Sequence, residues 1–156
     1  MPFKLSDDAY MYLKKIKKNK TVGEFKLDFD FYYLCAILGM TFRRCTSFTG
    51  GNEILRSFPK NYSKYSHIII ALLIEAEKDR TGIDSSDRKH FEKFILNFVD
   101  PKSSTELSDD GEERLNCYAQ GGFEKISEEM GYIEPLDAFL IKYYDLFSEL
   151  NKKIVN

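Results

Sequence analysis

Tryptophan is missing from the 156-residue chain, histidine occurs twice and cysteine three times. The cysteines Cys35, Cys45 and Cys117 are odd in number, lie far apart along the sequence, and occur in or beside apolar or aromatic segments. This usage argues against a disulfide framework or a thiolate metal site and is typical of reduced cysteines. We therefore expect a cytoplasmic protein.

Long apolar runs are missing as well. The longest aliphatic stretch, Ile68 to Ile74, is far shorter than the ~20 residues that a membrane-spanning helix needs. Residues 1–20 contain no apolar segment of the kind that signal peptides carry. The sequence therefore predicts no contact with a membrane.

Catalytic and metal-binding motifs are also missing. The chain has no phosphate loop, dinucleotide-binding glycine motif, nucleophile elbow or zinc-protease motif. His67 and His90 have no partner at metal-ligand spacing, which favours structural roles for both. Neighbouring acidic residues point about 100° apart on a helix and do not converge on an ion. We predict a protein that is not an enzyme and that holds neither a metal ion nor a cofactor.

Apolar residues are plentiful, and charges are unevenly distributed. An apolar fraction of 43%, with 13 Phe and 10 Tyr, can build the core of a single domain over residues 1–156. Residues 1–67 carry 12 basic and 6 acidic side chains, a balance of +6, whereas residues 68–156 carry 11 and 19, a balance of −8. Such polarity is typical of chains that bind phosphate backbones or complementary protein surfaces, and equally of ordinary solvated faces.

The basic residues of the first half could line one DNA-binding surface. Neutralising several phosphates would give sequence-neutral, salt-dependent affinity. The candidate DNA-binding residues are Lys14, Lys15, Lys17, Lys18, Lys20, Arg43, Arg44 and Arg56.

Helical periodicity predicts an all-α fold, a single compact domain of about six helices. Predicted starts are Ser6, Ser86-Asp87, Ser108 and Pro135, and predicted ends are Gly39, a residue near Gly82, and Asp100-Pro101. We interpret residues 28–39 as helix, with a short strand at 25–29 as the alternative, because Phe25 to Phe31 alternate with polar residues. The expected core face of the last helix comprises Leu136, Phe139, Leu140, Tyr143, Phe147 and Leu150.

Two further packing predictions follow from apolar patterns. The helix containing Ile68 to Ile74 is apolar on every side and is therefore expected at the centre of the domain. In the helix after Ser108, Gly122 falls on the apolar stripe and should permit close approach of another backbone, whereas Gly121 should face outward. The alternative at this pair of glycines is a break between two short helices.

The segment Leu115 to Glu124, LNCYAQGGFE, follows the acidic stretch Ser108 to Glu113. It resembles a Tyr-Ala-x-Gly-Gly-(Leu/Phe)-Glu pattern in small proteins encoded beside DNA-phosphorothioation defence genes of bacteria. Phe31 to Arg44 also resembles the apolar helix of those proteins, which ends in Leu-Gly and a basic turn. The resemblance covers most of residues 22–130. The residues that carry its core are Tyr118, Ala119, Gly121, Gly122, Phe123 and Glu124.

Similar small helical subunits accompany SMC-like ATPases and nucleases in Lamassu-type and other three-component anti-phage systems. The resemblance therefore implies a non-catalytic accessory subunit that binds a larger ATPase or nuclease and regulates or positions it, with DNA contacted through the complex. It implies no catalytic residues. The alternatives are a free-standing DNA-binding protein that uses the basic N-terminal lysines and, third, an enzyme with an unfamiliar site.

Overall fold

The computed structural model of the chain describes residues 3–18, 25–26, 28–131 and 135–155. Over these residues it contains six α-helices and one small antiparallel sheet, which confirms the predicted mostly helical fold. The elements in chain order are β1 (Phe3–Leu5), α1 (Asp7–Lys18), α2 (Asp28–Phe42), β2 (Asn52–Leu55), α3 (Ser66–Thr81), α4 (Arg88–Phe98), α5 (Asp109–Met130) and α6 (Leu136–Val155).

Local capping signals set several helix ends where the sequence predicts them. The Ser6 hydroxyl accepts a hydrogen bond from the Ala9 backbone N–H at 3.2 Å, at the start of α1. Ser108 caps α5 in the same way through the N–H of Gly111 at 3.1 Å. α3 ends at Gly82, whose φ of 70° lies in the left-handed region that favours glycine. These predictions are confirmed because a cap depends on only a few neighbouring residues.

α2 and α5 form the centre of the molecule, and their backbones come very close at Gly39 and Gly122. A Cβ atom on Gly122 would lie 1.8 Å from the carbonyl oxygen of Cys35, and one on Gly39 would lie 1.8 Å from that of Tyr118. Ordinary van der Waals contact starts at 3.4 Å, so no larger residue fits at either position unless a helix moves. The close approach at Gly122 within one continuous helix is therefore confirmed.

The outward orientation expected for Gly121 is wrong. Gly121 is buried, and a Cβ atom on it would lie 2.0 Å from the carbonyl oxygen of Arg44. The loop that follows α2 crosses α5 at this point, and the Thr46 N–H donates to the Cys117 carbonyl at 3.0 Å. Helical periodicity places Gly121 beside the core stripe but does not reveal a loop that covers it.

The predicted end of α2 at Gly39 is also wrong. The helix continues to Phe42, and Arg43 then takes the left-handed conformation with a φ of 56°. Gly39 lies inside the helix because close approach to α5 requires a glycine there. The alternative strand at 25–29 is not formed, since residues 28 and 29 belong to α2, and Leu27 lies outside the described residues.

The two strands lie elsewhere, at positions that no sequence pattern indicated. β1 pairs antiparallel with β2, with Phe3 opposite Leu55 and Leu5 opposite Asn52. The buried Phe3 ring contacts the ring of Phe29 in α2, with ring centroids 5.2 Å apart. Strands of three and four residues are too short to show alternation, and their pairing partners are about fifty positions apart in the sequence.

α3 is not at the centre, contrary to the prediction from its apolar run. One side, including Ile69 and Leu73, is buried, while Ile68 and Leu72 are exposed. α2 and α5 already occupy the centre and contact each other directly, so α3 is covered on one side only.

The core face of α6 is shifted by part of a turn from the predicted one. Leu140 is exposed, and Leu146 is buried instead. The Tyr143 hydroxyl donates to the Leu34 carbonyl of α2 at 2.7 Å, which fixes the rotation of the helix. One cluster of buried apolar residues extends from Phe3 in β1 to Leu146 in α6.

Candidate functional site

The candidate DNA-binding lysines lie on or near α1. Lys14, Lys15 and Lys18 are exposed, and the Lys14 ammonium lies 4.7 Å from the centre of the Tyr10 ring. Lys17 forms an ion pair with Asp28 at the start of α2. Lys20 lies outside the described residues. Three lysines therefore remain exposed on this helix.

The candidate arginines are held by carboxylates of the chain itself. Arg43 donates to Asp79, with an Nη2–Oδ2 distance of 2.7 Å. Arg44 donates to both carboxylate oxygens of Glu128, at 2.9 and 2.7 Å, and also contacts Glu124 at 3.0 Å.

Arg56 pairs with Glu53 at 2.7 Å. Arg43 and Arg44 follow the end of α2, whereas Lys17 contacts its start. The length of the helix, about 22 Å at 1.5 Å per residue, therefore separates the two groups. Among the seven candidate residues that the structure describes, the lysines of α1 and the arginines that follow α2 therefore do not share one surface.

The motif residues of α5 lie mostly in the core. Tyr118, Ala119, Gly121, Gly122 and Phe123 are all buried. The remaining residue of the motif, Glu124, is half-buried, and its carboxylate accepts from the Thr46 hydroxyl at 2.9 Å. The motif thus holds α5 against α2 and against the loop that follows α2.

A buried polar cluster lies where α3 meets α5. We define the Glu77 cluster as Glu77, Arg80, Arg114 and Tyr118. The Glu77 side chain is fully buried and accepts two hydrogen bonds from Arg80, at 2.9 and 2.7 Å, and one from the Tyr118 hydroxyl at 2.9 Å. The Nε of Arg114 lies 3.8 Å from the same carboxylate.

These hydrogen bonds decide the protonation state of the cluster. Burial by itself would raise the pKa of Glu77, but the donors Arg80 and Tyr118 and the charge of Arg114 outweigh it, so the pKa lies below the ordinary value of 4.5. Burial and the neighbouring carboxylate raise the pKa of Tyr118. At neutral pH the cluster therefore holds an ionised Glu77 and a neutral Tyr118. Both oxygens of Glu77 are satisfied, which is typical of a structural ion pair.

Two thiols lie beside this cluster. The loop after α2 places Cys45 beside Cys117, since the Thr46 N–H donates to the Cys117 carbonyl at 3.0 Å, and Arg114 donates to the Cys45 sulfur at 3.9 Å. The Ser47 hydroxyl lies 3.6 Å from the Cys117 sulfur. Arg114 therefore links the carboxylate of Glu77 to the thiol pair.

The two histidines lie on the surface, each beside one carboxylate. His90 Nδ1 is 2.5 Å from Asp87, and His67 Nδ1 is 3.6 Å from Glu106. In the described ranges no three His, Cys, Asp or Glu side chains come together as ligands for one metal ion. None of the helices described is both long enough and apolar enough to span a bilayer.

Two helices expose apolar side chains at helical spacing. We define the α3 stripe as Tyr65, Ile68 and Leu72, which are 44%, 58% and 40% exposed. The α6 patch, Leu140, Ile141 and Tyr144, is likewise exposed. Ile68 and Leu72, at i and i+4, lie on one face of α3, and Tyr65 is the N-cap residue directly before the helix.

Sequence reasoning missed the Glu77 cluster and the thiol pair. One signal was present: Glu77 follows Ile70 and Leu73 at positions i, i+3 and i+7, so a carboxylate lies on the buried face of a helix. Its partners on α5 lie about forty positions away in the sequence. Cys45 and Cys117 are also remote in sequence, so no local pattern indicated that the fold brings them together.

Comparison of the chain with protein-family models, with curated proteins and with solved structures gave no match. The likeness of Leu115–Glu124 to the defence-associated small proteins therefore stays a prediction. The surfaces and contacts of this chain are what remain to support a functional proposal.

Proposed function

We propose that the protein is a cytoplasmic, non-catalytic adaptor subunit of a bacterial anti-phage defence complex. Its partner would be a larger protein subunit, an SMC-like ATPase or an effector nuclease, which it holds inactive or places on DNA. The observation that carries the proposal is the α3 stripe, an exposed row of apolar side chains on one helix face.

The α3 stripe has the form of a helical docking element. Isolated exposed apolar residues are ordinary on soluble proteins, whereas aligned ones mark surfaces that other proteins cover. Anchors at i, i+3 and i+7 are the pattern by which one helix enters an apolar groove of a partner. Lys64 and Glu75, which flank the stripe along the chain, are both exposed and would supply a polar rim.

The chemistry of the interior is consistent with a binding role. The carboxylate of Glu77, the most deeply buried ionisable group near the motif, is saturated by Arg80 and Tyr118 and has no free oxygen to offer a substrate. Such a network fixes the relative position of α3 and α5, and thereby presents the α3 stripe on a rigid frame.

Co-purification with the products of the neighbouring genes tests the proposal. A tagged chain carrying Ile68→Glu and Leu72→Glu should fold, because both side chains face solvent, but should lose its partner by at least about tenfold, since two buried anchors of roughly 1 kcal/mol or more each would be removed. Leu96→Glu is the matched control: Leu96 is 67% exposed on α4 and stands apart from the α3 stripe.

The expected result is normal circular dichroism for both variants, with partner lost only from the α3 double variant. Undiminished co-purification of that double variant, or no partner among the neighbouring products with the wild-type chain, would contradict the proposal.

DNA binding through α1 is the second candidate. It is supported by Lys14, Lys15 and Lys18, which are exposed and, in the described part of the chain, lie in no ion pair. Three phosphate contacts would give weak, salt-dependent affinity. Such affinity suits a subunit that contacts DNA together with a larger partner.

A further inference from the structure

Cys45 and Cys117 are brought side by side by the loop that follows α2. The Thr46 N–H donates to the Cys117 carbonyl at 3.0 Å, the Ser47 hydroxyl lies 3.6 Å from the Cys117 sulfur, and Arg114 donates to the Cys45 sulfur at 3.9 Å. Both cysteines are free thiols in the structure. A disulfide requires Cα atoms within about 7 Å of each other, and the backbone contact between the two segments is what brings Cys45 towards Cys117.

Polar groups around the pair favour a thiolate on Cys117. The neighbouring Cys45 thiol has the largest effect on the pKa of Cys117 and lowers it, burial opposes this, and Ser47 and Arg114 lower it further. The lowered pKa raises the thiolate fraction of Cys117 at pH 7 above the roughly 3% of a free cysteine of pKa ≈ 8.5. The neighbouring Cys117 thiol and burial raise the pKa of Cys45, which therefore keeps its proton.

Cys117 is only 4% exposed, but it lines a cavity that small molecules could enter. The cavity has a volume of about 250 Å³, and its lining residues include Cys117, Ser47, Asn116 and Lys4. The third cysteine, Cys35, is completely buried in α2, and burial raises its pKa. Access and thiolate character thus coincide at Cys117 alone among the three cysteines.

We propose that Cys117 is a peroxide-reactive cysteine and that Cys45 resolves its oxidised form to an intramolecular Cys45–Cys117 disulfide. The oxidant is a hydroperoxide, with hydrogen peroxide as the smallest member of the class. This site is independent of the α3 stripe and goes beyond the adaptor role.

The reaction balances in two steps. The Cys117 thiolate attacks one peroxide oxygen, the O–O bond breaks, and the sulfur loses two electrons to become a sulfenic acid while hydroxide leaves. The Cys45 sulfur then attacks the Cys117 sulfur, and the S–O bond breaks. The departing hydroxide takes the Cys45 proton as water. The product fastens the loop after α2 to α5, and a dithiol reductant reverses it.

Peroxide treatment of the full chain tests this assignment. After quenching with N-ethylmaleimide, non-reducing peptide mapping of the wild type should show a Cys45–Cys117 peptide that dithiothreitol removes. Cys45→Ser should trap the sulfenic acid, seen as a dimedone adduct on Cys117. Cys35→Ser is the matched control and should behave as the wild type.

A second measurement needs no variant. In the untreated wild type, iodoacetamide at pH 7 should label Cys117 about tenfold or more faster than Cys35, because Cys117 has the larger thiolate fraction and lines a cavity. Three outcomes would each overturn the proposal. They are a disulfide to Cys35 or between chains as the main product, no dimedone adduct on Cys117 in the Cys45→Ser variant, and equal labelling of Cys117 and Cys35.

Discussion

Replacing Gly122 by alanine adds one methyl group at the closest contact between α2 and α5. That methyl carbon would lie 1.8 Å from the Cys35 carbonyl oxygen and 2.8 Å from the Gly39 nitrogen. To reach ordinary contact at 3.4 Å from the present 1.8 Å, the two backbones would have to separate by about 1.6 Å. Both atoms belong to helix interiors, so the separation cannot be confined to one side chain.

The expected change in the free energy of unfolding of Gly122→Ala results from two opposing effects. Alanine gains about 1 kcal/mol over glycine in helix propensity. Overpacking usually costs about 1–3 kcal/mol, and more where the backbone must move. The overpacking cost of Gly122→Ala should therefore be about 3 kcal/mol or more. The net loss in the free energy of unfolding is then about 2 kcal/mol or more, which lowers Tm by roughly 4–8 °C for a chain of this size.

Thermal and urea unfolding of the purified variant measure this loss. Ser127→Ala is the control, because Ser127 is exposed on the same helix and should change stability by no more than about 0.5 kcal/mol. Gly121→Ala should also destabilise, but less, since its clash is with the carbonyl of one loop residue, Arg44, rather than with the backbone of a second helix. Gly122→Ala with wild-type stability or better would refute the close approach of α2 and α5.

Two further predictions concern the Glu77 cluster and the lysines of α1. Tyr118→Phe removes the 2.9 Å hydrogen bond to ionised Glu77 and should cost about 2 kcal/mol in urea unfolding at pH 7; an unchanged midpoint would show that the bond contributes nothing. Because the pKa of Glu77 is lowered on folding, its stabilisation is complete above the ordinary value of 4.5 and is lost as pH falls through the lowered value. Glu77→Gln should therefore lack that acid-dependent loss, as followed by unfolding at a series of pH values, and an identical pH profile would contradict the role of Glu77. Changing the three exposed lysines of α1, Lys14, Lys15 and Lys18, to Glu should weaken any DNA association of the complex. The slope of log affinity against log salt concentration, measured by fluorescence anisotropy, should become shallower by up to about three units. An unaltered slope would show that these lysines serve solubility and do not bind DNA.

The Gly-Gly pair shows how far periodicity carries a prediction. The stripe around Gly122 correctly indicated one continuous helix with a close contact at Gly122, because every third or fourth residue of a helix shares a face. The orientation of Gly121 was wrong, since the loop that covers it comes from a part of the chain about 75 positions earlier. A sequence pattern records the face of a helix but not what lies against its other sides.

In the candidate sites, too, features that depend on local sequence were predictable and features that depend on remote contacts were not. Burial of Tyr118, Ala119 and Phe123 follows from the apolar stripe of α5 and was predictable. The ion pairs that hold Arg43 and Arg44 were not, because their carboxylate partners lie on α3 and α5, remote in sequence. Ion pairs that form only on folding therefore remove Arg43 and Arg44 from the basic surface that the local cluster of charge predicted.

The sequence by itself determined the helices, their caps at Ser6, Ser108 and Gly82, and the apolar faces of α1 and α5, because these depend on interactions within a few residues. The tertiary structure alone decided which helices are central, which apolar residues stay exposed on α3, and which polar groups meet. Glu77 with Tyr118, and Cys45 with Cys117, are joined across 41 and 72 positions of the chain. Such contacts depend on where whole helices come to lie, and that is settled by the summed burial of the core rather than by any local pattern.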